Sequence, residues 1–209
     1  MSSALLDRLQ SGISQLNIEL SDEQINALLR YVELMNKWNK AYNLTSVRDP
    51  LEMVSKHILD SLAVVPYITA EKYIDVGTGP GLPGIPLAIA CPNVSFTCLD
   101  SLGKRVRFMK QVVHELGLKN VIPVQSRVEL HQPEQPYDGV LSRAFASLKD
   151  MLQWCEHLVD SSGEFLALKG QYPQDELSDI PENISVVSTH KLQVPYMVGE
   201  RNIILLKKQ

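Results

Sequence analysis

Residues 73–81 read Tyr-Ile-Asp-Val-Gly-Thr-Gly-Pro-Gly, and this stretch decides the fold of the chain. Its first four residues are typical of a short buried strand, and its glycines at alternate positions are typical of a turn with almost no side chains. Glycine serves where the backbone must take a positive φ or approach a ligand closely. A strand-to-helix turn of this kind normally faces a nucleotide-like ligand in a doubly wound α/β fold.

A second predicted strand ends in an acid at the spacing that a ribose site requires. Residues 94–99 have the pattern of a strand, and Asp100 follows them. In doubly wound folds a carboxylate about 20 residues past the glycine turn binds the hydroxyl groups of a ribose. The turn and Asp100 together indicate a cofactor of the adenosine type. A purely structural role for Asp100, as the N-cap of the next helix, is the alternative.

The glycines fit two cofactor patterns. Those at positions 79, 81 and 84 match the G-x-G-x-x-G pattern of dinucleotide-binding folds. Those at 77, 79 and 81, preceded by Asp75, match the acid-x-G-x-G-x-G loop of S-adenosylmethionine-dependent methyltransferases. Prolines at 80, 83 and 86 remove backbone amides that would hold a pyrophosphate, and Asp75 supplies a negative group for a methionyl amine. The sequence therefore favours a methyl donor, with a dinucleotide or purely structural glycines as alternatives.

The order of predicted elements indicates an α/β fold. Helices are predicted at residues 4–17, 22–40 and 49–65. Ser21 and Asp49 are the expected N-caps of the second and third helices. Strands and helices then alternate, which indicates a mostly parallel sheet with helices on both faces. The predicted strands are 72–76, 94–100, 121–125, 137–142 and 163–168, and the predicted helices between them are 84–91, 103–117 and 147–159.

The C-terminal end departs from this alternation. Residues 184–194 and 202–207 are strand-like, and the short connection between them requires antiparallel pairing. A mostly parallel sheet with a terminal antiparallel hairpin is the Rossmann-like layout of class I S-adenosylmethionine-dependent methyltransferases, and a plain dinucleotide fold does not predict it. We therefore expect an N-terminal helical extension over residues 1–65 and a methyltransferase domain over residues 66–209.

Composition argues against several other classes of protein. No apolar run approaches the roughly 18 residues of a membrane span, and the N-terminus lacks the pattern of a signal peptide. Cys91, Cys98 and Cys155 are too few and too scattered for a disulfide framework or a zinc site. We expect a cytoplasmic protein that binds neither a membrane nor a metal.

Motifs along nearly the whole chain are far more specific than the glycine turn alone. They are WNKAYNLT at 38–45, RDP at 48–50, HILDS at 57–61, the loop 75–86, LDS at 99–101, SRAF at 142–145 and LKG at 168–170. These motifs resemble those of the ribosomal RNA small subunit methyltransferase G family, also called glucose-inhibited division protein B. The resemblance implies methyl transfer from S-adenosylmethionine to N7 of one guanine in the 530-loop region of 16S rRNA, within the small ribosomal subunit.

The resemblance also implies residues that bind the cofactor at the glycine turn. Gly77, Gly79 and Leu82 would line the turn, with the backbone of Gly77 near the methionyl end. Asp100 would accept hydrogen bonds from the ribose. These assignments place one ligand across the ends of two neighbouring predicted strands.

Two further strand ends supply candidate residues. The segment after strand 121–125 lies at the carboxyl edge, where such sheets bind ligands. In this fold the adenine is usually held there by backbone amides, so Val128 and Glu129 are candidates. Arg143 directly follows an apolar strand and is expected at the same edge, beside the reacting atoms, with a structural salt bridge as the alternative. Phe145 is a candidate for stacking on the target base or for ordinary packing.

The formal net charge of −4 argues against a generic nucleic-acid binder, because affinity for phosphates comes from clustered cations. We expect local contacts with rRNA from Lys104, Lys169 and Arg201. Arg127 either faces RNA or pairs with a nearby acid. For Lys104 the alternative is an ordinary solvated helix face. Local positive charge predicts weak binding to naked RNA and dependence on an assembled ribosomal particle.

The implied reaction needs little chemical help. Guanine N7 has an in-plane lone pair and no proton to remove, so catalysis requires mainly positioning and exclusion of water. We therefore nominate no general base. We expect His57 to be structural or substrate-facing, and Asp60 to lie on the helix surface or to be a hydrogen-bond partner to the same region. An S-adenosylmethionine enzyme acting on a small molecule or a protein remains an alternative, as does a non-catalytic nucleotide-binding module.

Overall fold

The structure is a computed structural model that describes residues 3–145 and 147–208. The strands in these residues form a single sheet. In chain order they are β1 (Lys72–Val76), β2 (Ser95–Asp100), β3 (Val121–Gln125), β4 (Tyr137–Ser142), β5 (Val159–Lys169), β6 (Ile184–Lys191) and β7 (Asn202–Lys208). Their order across the sheet is β3-β2-β1-β4-β5-β7-β6.

The pairing confirms the predicted sheet. Strands β1 to β5 pair in parallel, whereas β7 runs antiparallel to both β5 and β6. The α/β, Rossmann-like class I methyltransferase layout with a terminal antiparallel hairpin is thus the one observed. Because β7 is antiparallel to β5, the start of β7 lies beside the end of β5, and Asn202 pairs with Lys169.

The helices also follow the sequence prediction closely. They are α1 (Ser3–Leu16), α2 (Asp22–Tyr42), α3 (Pro50–Met53), α4 (Asp60–Leu62), α5 (Gly84–Ala90), α6 (Gly103–Leu116) and α7 (Leu148–Cys155). Both expected N-caps are confirmed. The Ser21 hydroxyl accepts a hydrogen bond from the amide of Gln24 while the Gln24 side chain accepts one from the amide of Ser21, and Asp49 accepts one from the amide of Leu51.

The predicted helix 49–65 is interrupted by a wider turn. Between α3 and α4 the backbone forms a π-helix over Val54–Leu59. Side-chain hydroxyls donate to carbonyls along this helix, from Ser55 to Leu51 at 3.3 Å and from Ser61 to His57 at 2.6 Å. Hydrophobic periodicity cannot reveal such an inserted residue, because the residues on either side remain helical.

Strand β5 begins earlier than predicted. The sequence favours a helix up to residue 159, but α7 ends at Cys155 and Val159 pairs with Tyr137 of β4. Pairing with a neighbouring strand, which the local sequence does not report, overrides the helical pattern here.

The N-terminal helices pack on one face of the sheet. Buried residues of α1 and α2, such as Leu9 and Leu28, belong to the same hydrophobic core as Tyr73 and Phe96 of the sheet and Phe108 of α6. A second core lies between α7 and the other face. The division of the chain at residue 66 stays a prediction.

Candidate active site

The glycine turn brings bare backbone to the carboxyl edge of the sheet. Gly77 has φ +69°, and a Cβ added to it would lie 2.5 Å from the Cβ of Ala144, so the close approach of the segment after β4 excludes any side chain. Gly79 has φ +63°, and no described atom lies within 4 Å of the place its Cβ would take. The first glycine therefore permits a tight wall, and the second leaves open space above the backbone.

Asp75 braces the turn from inside. It is buried, and its Oδ2 accepts hydrogen bonds from the Thr78 hydroxyl at 2.5 Å and the Gly84 amide at 2.8 Å. Burial raises the pKa of its carboxyl to about 6. Asp75 therefore stabilises the turn through Oδ2, and its expected contact with a methionyl amine stays a prediction. Its Oδ1 is buried and has no hydrogen-bond partner among the described residues.

The start of α5 offers no site for a pyrophosphate. The Gly84 amide is bound to Asp75, the Ile85 amide donates to the Gly81 carbonyl, and the Leu87 amide donates to the Pro83 carbonyl. Proline at position 86 has no amide to offer. The donors that hold phosphate in a dinucleotide fold are therefore absent or already used within the described turn, which favours a ligand without phosphate.

Two cavities open at this edge of the sheet and share one wall. The first, of about 650 Å³, lies over the ends of β2 and β3, and we call it the β2–β3 cavity. The second, of about 550 Å³, lies over the end of β5 and the start of β7, and we call it the β5–β7 cavity. Gly77, Arg105 and Ala144 line both cavities.

Asp100 lines the β2–β3 cavity, and much of its hydrogen-bonding capacity is already in use. Its Oδ1 accepts from the Leu102 amide at 2.9 Å, and its Oδ2 accepts from the Gly79 amide at 2.9 Å and from Arg105 at 3.0 Å. A carboxylate offers about four acceptor sites, so these three bonds leave room for about one more. The N-cap of α6 is Leu102, so Asp100 is not the N-cap of that helix.

The far side of the β2–β3 cavity is the short 3-10 turn Val128–Leu130. Val128 and Glu129 both line the cavity, and the first amides of such a turn have no partner within it. Arg127 lies at the rim, with its side chain 73% exposed and 3.8 Å from Glu129. Phe145 lines the same cavity and also packs against the second core.

The β5–β7 cavity holds a buried carboxylate between two arginines. Oδ2 of Asp60 accepts from Nη1 of Arg143 at 2.7 Å, and Oδ1 accepts from Nε of Arg201 at 2.9 Å. The structural salt bridge considered for Arg143 is thus present, yet Arg143 still lines the cavity beside Gly79 and Leu82.

The remaining predicted cations divide between the cavity and the surface. Lys169 lines the β5–β7 cavity and pairs with Glu176 at 2.9 Å. Lys104 instead donates to the Tyr42 carbonyl at 2.9 Å and is not among the residues that line either cavity. The structure therefore brings Lys169 and Arg201 together, leaves Arg127 at the other cavity, and separates Lys104 from all three.

Four residues of the site were not assigned to it from the sequence: Thr45, His57, Asp60 and Arg105. Thr45 and His57 line the β5–β7 cavity, with the Thr45 hydroxyl 2.8 Å from Nε2 of His57. Burial, aided by the charge of Arg143, lowers the pKa of His57 to about 4, so the imidazole is neutral at pH 7. Three of these four residues fall within the motifs at 38–45 and 57–61, and these motifs were the part of the sequence that could have pointed to them.

The combined shape fits S-adenosylmethionine. One cavity offers a carboxylate and backbone amides for a nucleoside, and the shared wall at Gly77 has no room for a Cβ. Beyond that wall the second cavity offers Arg143, whose charge suits an amino-acid carboxylate. A ligand with a nucleoside at one end and an amino acid at the other matches this order of groups.

No helix in the described ranges is both long enough and apolar enough to cross a membrane. Within the same ranges, no cluster of three or more His, Cys, Asp or Glu side chains is arranged to hold a metal ion.

Known structures share the fold at low sequence identity. TrmN from Thermus thermophilus superposes with a TM-score of 0.59 at 16% identity, covering 83% of this chain and 53% of that one. A putative methyltransferase from Thermoplasma acidophilum superposes with a TM-score of 0.54 at 14% identity, covering 67% and 69%. At such identities the likeness concerns the fold alone.

Sequence relatives are much closer. A protein of Alteromonas mediterranea named ribosomal RNA small subunit methyltransferase G is 66% identical over 201 residues, which cover 96% of this chain and 95% of that protein. A protein of the same name from Salmonella arizonae is 58% identical over 203 residues, covering 97% and 98%. The family described as rRNA small subunit methyltransferase G, GidB, matches residues 24–204. The chain therefore belongs to the GidB family of rRNA small subunit methyltransferase G proteins.

Proposed function

We propose that the protein transfers a methyl group from S-adenosylmethionine to N7 of one guanine in the 530-loop region of 16S rRNA, within the small ribosomal subunit. Membership of the GidB family supports the methyl transfer and the rRNA substrate. The observation that carries the proposal is the wall of Gly77, Arg105 and Ala144 shared by two cavities. A donor whose nucleoside lies in the β2–β3 cavity must pass this wall to present its methyl group to an acceptor in the β5–β7 cavity.

We assign the donor to residues from four strand ends. The amides of Val128 and Glu129 would hold the adenine, and Asp100 would accept from the ribose through its remaining acceptor site. The bare backbone of Gly77 and Gly79, with Leu82, would line the methionyl part, and Arg143 would pair with its carboxylate. Of these residues, Gly79, Leu82 and Arg143 line the β5–β7 cavity, Asp100, Val128 and Glu129 line the β2–β3 cavity, and Gly77 lines both.

The residues of this chain would act by positioning. S-adenosylmethionine supplies a methyl group that its sulfonium centre has already activated. Guanine N7 carries no proton, so no base has to remove one, and the neutral His57 only offers a hydrogen bond. Correct placement of the acceptor and exclusion of water can lower the barrier by several kcal/mol, on the order of 7.

We assign the acceptor to the β5–β7 cavity and its rim. Lys169 and Arg201 lie there, and Arg127 and Lys104 would contact more distant parts of the rRNA. The chain carries a net charge of −4, so these cations act locally, which favours an assembled small subunit over naked RNA. Because the proposed substrate is an assembled ribosomal subunit, we also propose a cytoplasmic location. The proposed N-terminal extension of residues 1–65, ahead of the methyltransferase domain of residues 66–209, contributes Thr45, His57 and Asp60 to this cavity.

Labelled methyl transfer tests the proposal. The purified protein is incubated with methyl-tritiated S-adenosylmethionine and small subunits from cells that lack this activity. We expect label in 16S rRNA, and cleavage by borohydride and aniline, which is selective for N7-methylguanine, within the 530-loop region. Large subunits and naked 16S rRNA serve as controls, and we expect little label in either. Label in protein or small molecules, or 16S label resistant to cleavage, would contradict the proposal.

A further inference from the structure

One buried carboxylate connects the N-terminal helices to the sheet at the β5–β7 cavity. Asp60 is the first residue of α4, and its side chain is only 5% exposed. It bonds Arg143 at the end of β4 and Arg201 at the start of β7. These partners lie 83 and 141 residues away along the chain, so only the tertiary fold brings the three together.

Each arginine keeps donors that Asp60 does not use. A guanidinium carries five N–H groups in a rigid plane. Arg143 donates one N–H to Asp60 and another to the Leu82 carbonyl, 3.4 Å away. Arg201 donates one N–H to Asp60 and one to the Glu200 carbonyl at 2.8 Å. Fixing one edge of each guanidinium therefore sets where its other N–H groups lie, and both side chains line the cavity.

Stability alone does not explain this arrangement. Burying a carboxylate with its partners carries a large desolvation cost, and well-packed apolar residues often serve stability equally well. Two guanidinium groups on one carboxylate also leave a net positive charge in the cavity. Glu176 does not offset this charge, because its carboxylate pairs with Lys169. A cluster of this kind is expected where an anionic ligand completes it.

The helix is also built so that Asp60 reaches the cavity. The π-helix Val54–Leu59 ends immediately before Asp60. One inserted residue turns every later side chain by about 100° relative to a regular α-helix. Such π segments concentrate at functional sites. The local geometry and the ion pairs are separate observations, and both point to Asp60.

We propose that Asp60 is the positioning residue that sets both sides of the reaction at once, holding Arg143 for the methionyl carboxylate and Arg201 for the rRNA. This inference rests on the proposed function, because it uses the same donor and acceptor. Through this residue the N-terminal helices become part of the active site rather than a cover for it. A change at Asp60 should therefore weaken donor binding and rRNA binding together, whereas a change at either arginine should weaken mainly one of them.

The test compares Asp60→Asn with the wild type. The Asn amide has one acceptor oxygen and no charge, so it cannot hold both guanidinium groups. We expect the Kd for S-adenosylhomocysteine, measured by calorimetry, and the KM for small subunits each to rise about 10-fold. In the Asp60→Asn background, Arg201→Gln should add much less to the KM than it does in the wild type.

Two further variants guard against simple misfolding. Asp60→Glu keeps the charge but moves the carboxylate by one methylene, so both constants should still rise, by about 3-fold or more. Glu52→Gln is the matched control, because Glu52 also pairs with a cation of this helix, Lys56, but at an exposed site. We expect both constants to stay within about 2-fold of wild type in that control.

The outcomes separate this inference from the proposed function. Folded Asp60→Asn and Asp60→Glu proteins with both constants unchanged would overturn the positioning role, while wild-type methylation of 16S rRNA would leave the proposed function intact. A wild-type protein that binds S-adenosylhomocysteine but methylates no rRNA would instead overturn the proposed function, and the donor Kd of Asp60→Asn would still test the hold on Arg143.

Discussion

The two cavities of this protein are built in different ways. The β2–β3 cavity is made largely from backbone and from residues at or shortly after the ends of their strands, such as Gly77, Asp100 and Val128. The β5–β7 cavity is made from charged side chains of distant segments that pair with one another, as Asp60 does with Arg143 and Arg201. A backbone wall is fixed by the course of the strands, whereas a wall of ion pairs depends on each partner.

This difference has a consequence for rRNA binding. Arg201 and Lys169 are already paired with Asp60 and Glu176 before any substrate arrives. Paired cations attract phosphate less strongly than free ones, because the field of each pair falls off quickly. The protein should therefore bind naked RNA weakly and rely on the shape of the assembled particle.

The largest effect is expected from a substitution that disrupts the backbone wall at Gly77. In Gly77→Ala the new methyl group would meet the Cβ of Ala144, 2.5 Å away, and the backbone would be held at φ +69°. Because neither side of this contact is a flexible side-chain end, the wall must shift. We expect affinity for S-adenosylhomocysteine and methyl transfer each to fall about 100-fold or more. Calorimetry and the tritium assay measure the two effects.

Gly117→Ala is the control for this experiment. Gly117 ends α6 with φ +63°, and no described atom lies within 4 Å of the place its Cβ would take. The Gly117→Ala variant should lose about 1 kcal/mol of its free energy of unfolding but keep its affinity for the donor. Equal donor affinity in Gly77→Ala and Gly117→Ala would show that the wall does not touch the donor.

The next largest effect is expected from removing one ion pair of the β5–β7 cavity. Arg201→Gln removes the charge at the start of β7 and leaves the bond between Asp60 and Arg143 in place. We expect the KM for small subunits to rise about 10-fold and the Kd for S-adenosylhomocysteine to change less than 3-fold. Lys191→Gln, which removes an exposed pair with Glu200 in the same hairpin, should change neither constant. A rise in the donor Kd with an unchanged KM would reverse the assignment of the cavities.

A smaller effect sharpens the comparison at the glycine turn. Gly79 and Gly117 both have φ +63°, and no described atom lies within 4 Å of the place where either Cβ would stand. Alanine should therefore lower the free energy of unfolding equally at both positions, by about 1 kcal/mol. Only Gly79 lies on a cavity. We expect Gly79→Ala to weaken donor binding about 5-fold and Gly117→Ala to leave it unchanged. Matching donor affinities would remove Gly79 from the site.

The smallest effect concerns pH. The pKa of His57 is about 4 in the folded protein and near its ordinary value of 6.5 when unfolded, so the unfolded chain binds more protons between these values. Stability from His57 should therefore rise as pH increases from 4 to 6.5, relative to His57→Gln. Allowing for partial exposure, we expect a gain of about 1 kcal/mol in the free energy of unfolding, measured by urea denaturation. A difference independent of pH would show that His57 titrates normally in the folded state.

The sequence predicted the backbone cavity better than the charged one. The strand ends at 76, 100 and 125 follow from periodicity and composition, and parallel pairing then brings them to one edge. The bond between Asp60 and Arg201 spans 141 residues, and no local pattern encodes it. The π-helix before Asp60 is equally invisible to periodicity.

Two candidate residues show the same limit at closer range. The spacing that placed Asp100 at the cofactor could not show that it also holds the Gly79 amide and Arg105. The acid at position 75 could not be assigned to bracing from its position alone, because that role depends on the path of the turn towards Gly84.

Hydrogen exchange with and without S-adenosylhomocysteine tests the division of the two cavities most directly. The amides of Val128 and Glu129 should exchange more slowly once the ligand is bound, because they would hold its adenine. The segments around Thr45 and Arg201 should exchange at an unchanged rate. Protection at Thr45 and Arg201 without protection at Val128 and Glu129 would contradict the account.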